Sequence, residues 1–168
     1  MKPRIAVLAL AIALPACSGG GVTTEQADTN GDGVVSSDEA VAASAGLDYV
    51  DREPGLYRGT VVDTSVDQGP DESQEDCVTQ EQIDEPVDWS LPDICVYEKF
   101  DLTADTVSIV VRCEDSVGFV TRNFIDSVIT PTQRTTIASY ESGTRIGDFS
   151  LDAKFERVGE CPVPEATE

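Results

Sequence analysis

Residues Asp28 to Glu39 read Asp-Thr-Asn-Gly-Asp-Gly-Val-Val-Ser-Ser-Asp-Glu, and no other stretch of the chain constrains its own backbone so tightly. Side chains with oxygens stand at positions one, three and five (Asp28, Asn30 and Asp32). Gly33 at position six permits a sharp turn, and the carboxylate of Glu39 closes the run at twelve. A hard cation needs six to eight oxygens, and this spacing supplies them from those side chains, the Val34 carbonyl at seven and Ser36 at nine through a water. The pattern predicts a calcium loop held by Asp28, Asn30, Asp32, Val34, Ser36 and Glu39.

The run resembles an EF-hand loop. At ordinary residue usage the pattern arises by chance in roughly one chain in a few thousand of this length, and in an acidic chain in about one in a thousand. The competing reading is a metal-free surface turn, since Asn-Gly and Asp-Gly dipeptides turn unaided. Two features favour the loop. Val35 stands at position eight, where an apolar side chain packs against a partner, and an alanine-rich helix is predicted from Ser37 to Leu47, stopping at Gly46. Only Thr23 to Ala27, about one helical turn, precede the loop, and no second loop of this kind occurs. An unpaired site lacks the neighbour that preorganises it, so the expected affinity is weak, roughly 0.1 to 1 mM. Val35 has to dock on the downstream domain or on another molecule.

The chain begins with Lys2 and Arg4, an apolar run from Ile5 to Leu14, and then Leu14-Pro15-Ala16-Cys17. Ten apolar residues reach only about 15 Å as a helix, which suits a secretory signal over residues 1–16 and not a membrane span. Leu14 to Cys17 resemble the lipobox of bacterial lipoproteins, although Pro15 departs from the usual small residue. The resemblance implies cleavage before Cys17, a lipid on its sulfur, an acylated amino group (palmitate in kind) and, with Ser18 in place of a retaining aspartate, an outer-membrane anchor facing the periplasm. The alternative is a soluble periplasmic protein. Residues 17–24 then form a tether and 25–47 the calcium loop with its helix.

Loss of the signal leaves nine basic residues against 32 acidic ones, a net charge of about −23. Such a field repels nucleic acid and concentrates divalent cations. The acids are scattered and do not form a disordered acidic tail. Cys77, Cys95, Cys113 and Cys161 remain, and an even count in an exported chain reads as two disulfides. Of three connectivities, the expected one joins Cys77 to Cys95 and Cys113 to Cys161. Zinc is disfavoured by the absence of histidine and of any Cys-x-x-Cys.

From Glu53 onward β-branched residues and alternation replace alanine. Strands are predicted at Gly55 to Val66, Ile94 to Leu102, Thr106 to Cys113, Gly118 to Val128, Gln133 to Tyr140 and Gly147 to Arg157. Phe149, Leu151, Ala153 and Phe155 mark one dry face, and Val107, Ile109, Val111 and Cys113 another. Short connections imply a mainly β fold, an antiparallel meander forming a curved sheet or a partly open barrel. The long acidic connection Asp67 to Pro92 needs a staple and holds a short helix near Thr79 to Asp84. Trp89 within it, between Pro86 and Pro92, is expected to lie as a lid over one end of the sheet. The β domain spans 53–161, and 162–168 is a tail.

Glu53-Pro54-Gly55-Leu56-Tyr57, Cys77-Val78-Thr79 with Glu81, the paired middle cysteines Cys95 and Cys113, and Arg157-Val158-Gly159-Glu160-Cys161 together resemble the bacterial exported proteins grouped as domain of unknown function 3617. Tyr57 stands where a tryptophan is more usual. The resemblance implies an exported, β-rich, cysteine-bridged domain and carries no activity or functional residue with it. The calcium loop lies outside its pattern.

Catalysis is not expected. Without histidine no Ser-His-Asp or Cys-His arrangement exists, Lys99 and Lys154 sit in strands with no serine motif beside them, and no phosphate-cradling glycine loop occurs. The expected function is a calcium-binding module of the cell envelope, tethered to the membrane through Cys17. The alternative is a carrier of an apolar ligand between the concave sheet and the Trp89 connection. A third reading is an inhibitor or partner of an envelope enzyme.

Overall fold

The computed structural model describes residues 20–47, 49–50, 52–63, 73–143 and 145–162. The predicted signal over 1–16, Cys17, and the predicted tail from 163 lie outside them. Two short helices, α1 (Thr24–Ala27) and α2 (Ser37–Ser44), precede β1 (Gly55–Asp63) and β2 (Gln74–Val78); α3 (Gln80–Asp84) then leads into β3 (Cys95–Leu102), β4 (Thr106–Glu114), β5 (Val120–Thr130), β6 (Gln133–Ser142) and β7 (Arg145–Gly159). All seven strands form one open sheet, paired antiparallel, in the order β2-β1-β7-β6-β5-β4-β3. The predicted meander is therefore real from β3 to β7, and the β1–β2 hairpin is added beside β7.

One strand escaped prediction. β2 is Gln-Glu-Asp-Cys-Val, exposed along nearly its whole length, so neither alternation nor β propensity marks it. Its place at the sheet edge accounts for the charges, which discourage pairing with a further strand. Arg58 of β1 holds Glu75 of β2 at 2.7 Å across the pair.

The disulfides join Cys77 to Cys161 and Cys95 to Cys113, which corrects the expected pairing of Cys77 with Cys95 and Cys113 with Cys161. The reason is register. Cys95 and Cys113 are direct cross-strand partners, with Cα atoms 4.0 Å apart. Cys77 lies opposite Leu56, and on the other side of β1 Leu56 faces Gly159, two residues before Cys161. Order along the sheet decided the pairing, and the first disulfide thus clamps β2 to the end of β7 across β1.

The core lies over β3 and β4. Val107, Ile109 and Val111 are buried as their alternation predicts, together with Cys95, Tyr97, Phe100 and Leu102 from β3. In β3 the buried residues change from odd to even numbers because a bulge inserts Glu98 between Tyr97 and Lys99 in the register with β4. Without that extra residue Phe100 and Leu102 would face water, since a one-residue shift turns every side chain over. Phe100, Leu102 and Val35 are the largest fully buried side chains, each contributing roughly 1.5–3 kcal/mol. Trp89 closes the cluster as a lid: it is 8% exposed, meets Phe100 edge-on at 5.2 Å, and its carbonyl accepts from the Tyr97 hydroxyl at 2.9 Å. On β7 Ala153 is buried and Leu151 and Phe155 are half-buried; the Phe149 side chain falls outside the described ones.

The opposite face is polar. Glu98 accepts from Arg122 through both oxygens, at 2.7 and 3.0 Å, and pairs with Arg112 at 3.2 Å, so one carboxylate ties β3, β4 and β5 together. Those hydrogen bonds hold its pKa below the usual glutamate value.

Closing the 84-residue separation between Cys77 and Cys161 restricts the unfolded chain by about 4.6 kcal/mol in the loop-entropy account. The double replacement Cys77→Ser and Cys161→Ser should lower unfolding free energy in urea by about 3–5 kcal/mol, and peptide mapping of the unreduced wild-type chain should recover Cys77 with Cys161. Recovery of Cys77 with Cys95 would contradict the register.

Candidate metal centre

The Asp28–Glu39 loop is wound by its own side chains. Both oxygens of Asp28 accept backbone N–H groups, from Gly31 at 2.7 Å and Gly33 at 2.9 Å. Asn30 accepts from the Asp32 N–H at 2.9 Å and Asp32 from the Val34 N–H at 3.0 Å. Gly31 and Gly33 have φ of 76° and 87°, the left-handed region where a Cβ is unfavourable. These turns are the physical reason that short oxygen-bearing side chains alternate with glycine here.

Glu39 closes the loop. Ser36 caps α2 in a reciprocal box: its N–H and hydroxyl donate to Glu39 Oε2 at 3.0 and 2.8 Å, and its Oγ accepts from the Glu39 N–H at 3.4 Å. The other oxygen, Oε1, accepts from the Thr29 N–H at 3.0 Å, the Thr29 hydroxyl at 2.8 Å and the Asn30 N–H at 3.3 Å. The second and third residues of the loop, Thr29 and Asn30, are thereby tied to its last through one carboxylate. The Ser36 N–H, followed by the hydroxyls of Thr29 and Ser36, holds the Glu39 pKa down at about 2. The helix that follows ends at Ser44, three residues before the expected Leu47 and short of Gly46.

Val35 settles how an unpaired loop is supported. Its N–H donates to the Tyr97 carbonyl at 2.8 Å and its carbonyl accepts from the Tyr97 N–H at 2.9 Å. The side chain is fully buried. Of the two expected docking places, the downstream domain is the one used, and β3 stands where a second loop would. Further contacts secure the same edge: Val22 and Leu102 exchange backbone hydrogen bonds at 2.7 Å each, the Thr24 hydroxyl accepts from the Phe100 N–H at 2.8 Å, and Thr24 donates to Asp101 through both its N–H and its hydroxyl at 2.9 Å. A Cβ on Gly21 would lie 2.2 Å from the Leu102 carbonyl oxygen, so only glycine permits that approach. Ala27 and Ala40 are fully buried, and Ala43 and Leu47 pack beside them against the β3–β4 core.

The donors suit a hard cation in kind: oxygens throughout, with carboxylates at the loop's start, middle and end. Among the described residues no three or more carboxylate, cysteine or histidine groups converge on one point. Asp28, Asp32 and Glu39 instead face the loop's N–H groups. Asp28, Asn30, Asp32, the Val34 carbonyl, Ser36 and Glu39 would hold an ion, with Glu39 giving up Thr29 and Asn30 to do so. Sequence reading located the loop and missed its seat, because Thr24, Asp101, Val35 and Tyr97 lie far apart in the chain and carry no shared pattern.

These features define a class of protein: an open antiparallel sheet, stapled by disulfides at both ends, with one edge strand capped by a helix–loop–helix. The chain belongs to the family described as Protein of unknown function (DUF3617), whose model matches residues 52–161. The Asp28–Glu39 loop precedes the matched residues. No curated protein and no solved structure matches the chain.

Because the folded-state pKa of Glu39 lies near 2 against an ordinary 4.5, its contribution to loop order is complete above about pH 4.5 and is lost as pH falls through about 2. In chelator, carbon-detected NMR of the Glu39 carboxyl should show no titration between pH 7 and 4, and the Thr29 and Asn30 amide shifts should move only below pH 4. A midpoint near 4.5 would show that the carboxylate is not closing the loop.

Proposed function

We propose that this chain is a calcium-binding lipoprotein of the cell envelope, a structural or binding module without catalytic activity. The observation that carries this reading is the reciprocal Val35–Tyr97 bridge. It joins an EF-hand-type loop to the sheet edge, so an ion held by Asp28, Asn30, Asp32, Val34, Ser36 and Glu39 would stiffen the start of the β domain. Lipid on Cys17 would place that joint a few residues from the outer-membrane surface on the periplasmic side, with calcium as a fixer of orientation. The large acidic excess supports the same reading by raising the local concentration of divalent cations. The carrier alternative is weakened at its aromatic residue, since Trp89 is occupied by Phe100 and Tyr97 in the core.

Thermal unfolding of the oxidised mature chain in calcium and in chelator tests the reading. With an affinity of roughly 0.1–1 mM, 10 mM calcium should stabilise the native state by about 1.4–2.7 kcal/mol. Glu39→Gln should remove that response and leave the sheet folded. Full calcium response in Glu39→Gln, or none in the wild type, would sink the proposal.

A further inference from the structure

Basic side chains are scarce here, 11 against 32 acidic ones, and most that can be followed find a carboxylate. Arg58 pairs with Glu75, Arg112 and Arg122 with Glu98, Lys154 with Glu156 and Arg157 with Glu160. Arg52 and Arg134 form no ion pair among the described residues, and Arg134 Nε is sealed from solvent without a hydrogen-bond partner.

Their placement is built. Arg134 stands on β6 between Ile129 of β5 and Phe155 of β7 in the register, on the sheet's apolar face. The Arg52 guanidinium lies over the Tyr57 ring, 5.2 Å from its centroid. Tyr57 is buried; its hydroxyl donates to the Glu53 carbonyl at 2.7 Å and the Pro131 carbonyl at 3.2 Å, while the Glu53 N–H donates to that Pro131 oxygen at 2.9 Å. The segment carrying Arg52 is thus pinned to the β5–β6 turn, three residues before Arg134. Burial, and then the charge of Arg52, push the Arg134 pKa down, so the two cations repel one another. A half-buried guanidinium with a like charge beside it and no acid partner among the described residues costs stability, in a chain with carboxylates to spare. An oxyanion held by the two side chains removes both penalties, and guanidinium is the group that takes carboxylate or phosphate through paired hydrogen bonds.

We infer that Arg134 and Arg52 form a binding site for an oxyanion, the carboxylate or phosphate head of a small ligand, at the Pro131 end of the apolar face. Ile129 and Phe155 flank the site and would take an acyl tail where the ligand has one. The site is separate from the calcium loop and stands or falls independently of it.

The test is the thermal midpoint of the oxidised mature chain in chelator at constant ionic strength, with chloride replaced by sodium phosphate or by low-millimolar octanoate. The wild-type midpoint should rise with anion concentration, as binding to the native state alone requires. Arg134→Met should unfold no earlier than wild type in chloride and lose the anion response. Arg52→Gln, which removes a partly exposed group and keeps the fold, should need roughly tenfold more anion for the same rise, and it decides the matter should Arg134→Met fail to fold. Octanoate acting at tenfold lower concentration than phosphate would assign the ligand an acyl tail, and equal action a head group alone. A wild-type midpoint indifferent to both anions, or a response unchanged in Arg52→Gln and Arg134→Met, would overturn the inference.

Discussion

The free edge of β3 is the constraint from which the architecture follows. A seven-stranded open sheet has two edges, and an uncovered edge offers a row of unpaired N–H and carbonyl groups to any passing chain. At β2 the edge is made of acidic residues and held down by a disulfide. At β3 the solution differs: Val22 pairs with Leu102 and Val35 with Tyr97, and Thr24 takes the Phe100 N–H. The helix–loop–helix thereby supplies the backbone partners that the sheet lacks. In return the sheet supplies the partner that a lone loop lacks, and the same contact buries Val35, Ala27 and Ala40 against Phe100 and Leu102.

Packing and backbone geometry meet in the β3 bulge. By inserting Glu98, it keeps Tyr97 and Phe100 on one face although they are three residues apart. Tyr97 then serves the structure three ways: its backbone receives Val35, its ring packs on Phe100 at 4.8 Å, and its hydroxyl holds the Trp89 segment. Burial pushes that hydroxyl's pKa up to about 12, so the bond to Trp89 persists across any physiological pH. The extra residue, Glu98, meanwhile points to the polar face, where it gathers Arg112 and Arg122.

Local chemistry was legible in the sequence, and long-range pairing was not. Asp28, Asn30 and Asp32 each turn the backbone through their own side chains, and Gly31 and Gly33 take the left-handed conformation beside them. Strands β3 to β7 could be read because one face must be dry, as Val107, Ile109 and Val111 show. β2 could not be read, since an acidic edge strand has no such face. Cysteine pairing failed for a related reason: the long acidic connection called for a staple from Cys77 to Cys95, whereas the β1–β7 pairing brings Cys161 to Cys77 from 84 residues away. The Arg52–Arg134 cluster was equally hidden, because nothing in either segment's pattern signals that Tyr57 and Pro131 will hold them together. A resemblance to domain of unknown function 3617 covered the sheet and said nothing of the loop seated on its edge.

Native-state hydrogen exchange at the Val35 and Tyr97 amides is the most direct test of the claim that loop and sheet form one unit. Both N–H groups lie in the bridge, and both should open only with the global unfolding that frees the Ile109 and Val111 amides, in chelator as in calcium. Rapid exchange at Val35 alongside slow exchange throughout β4 would instead mean that the loop module and the sheet are separate bodies, and that the β3 edge is open in solution.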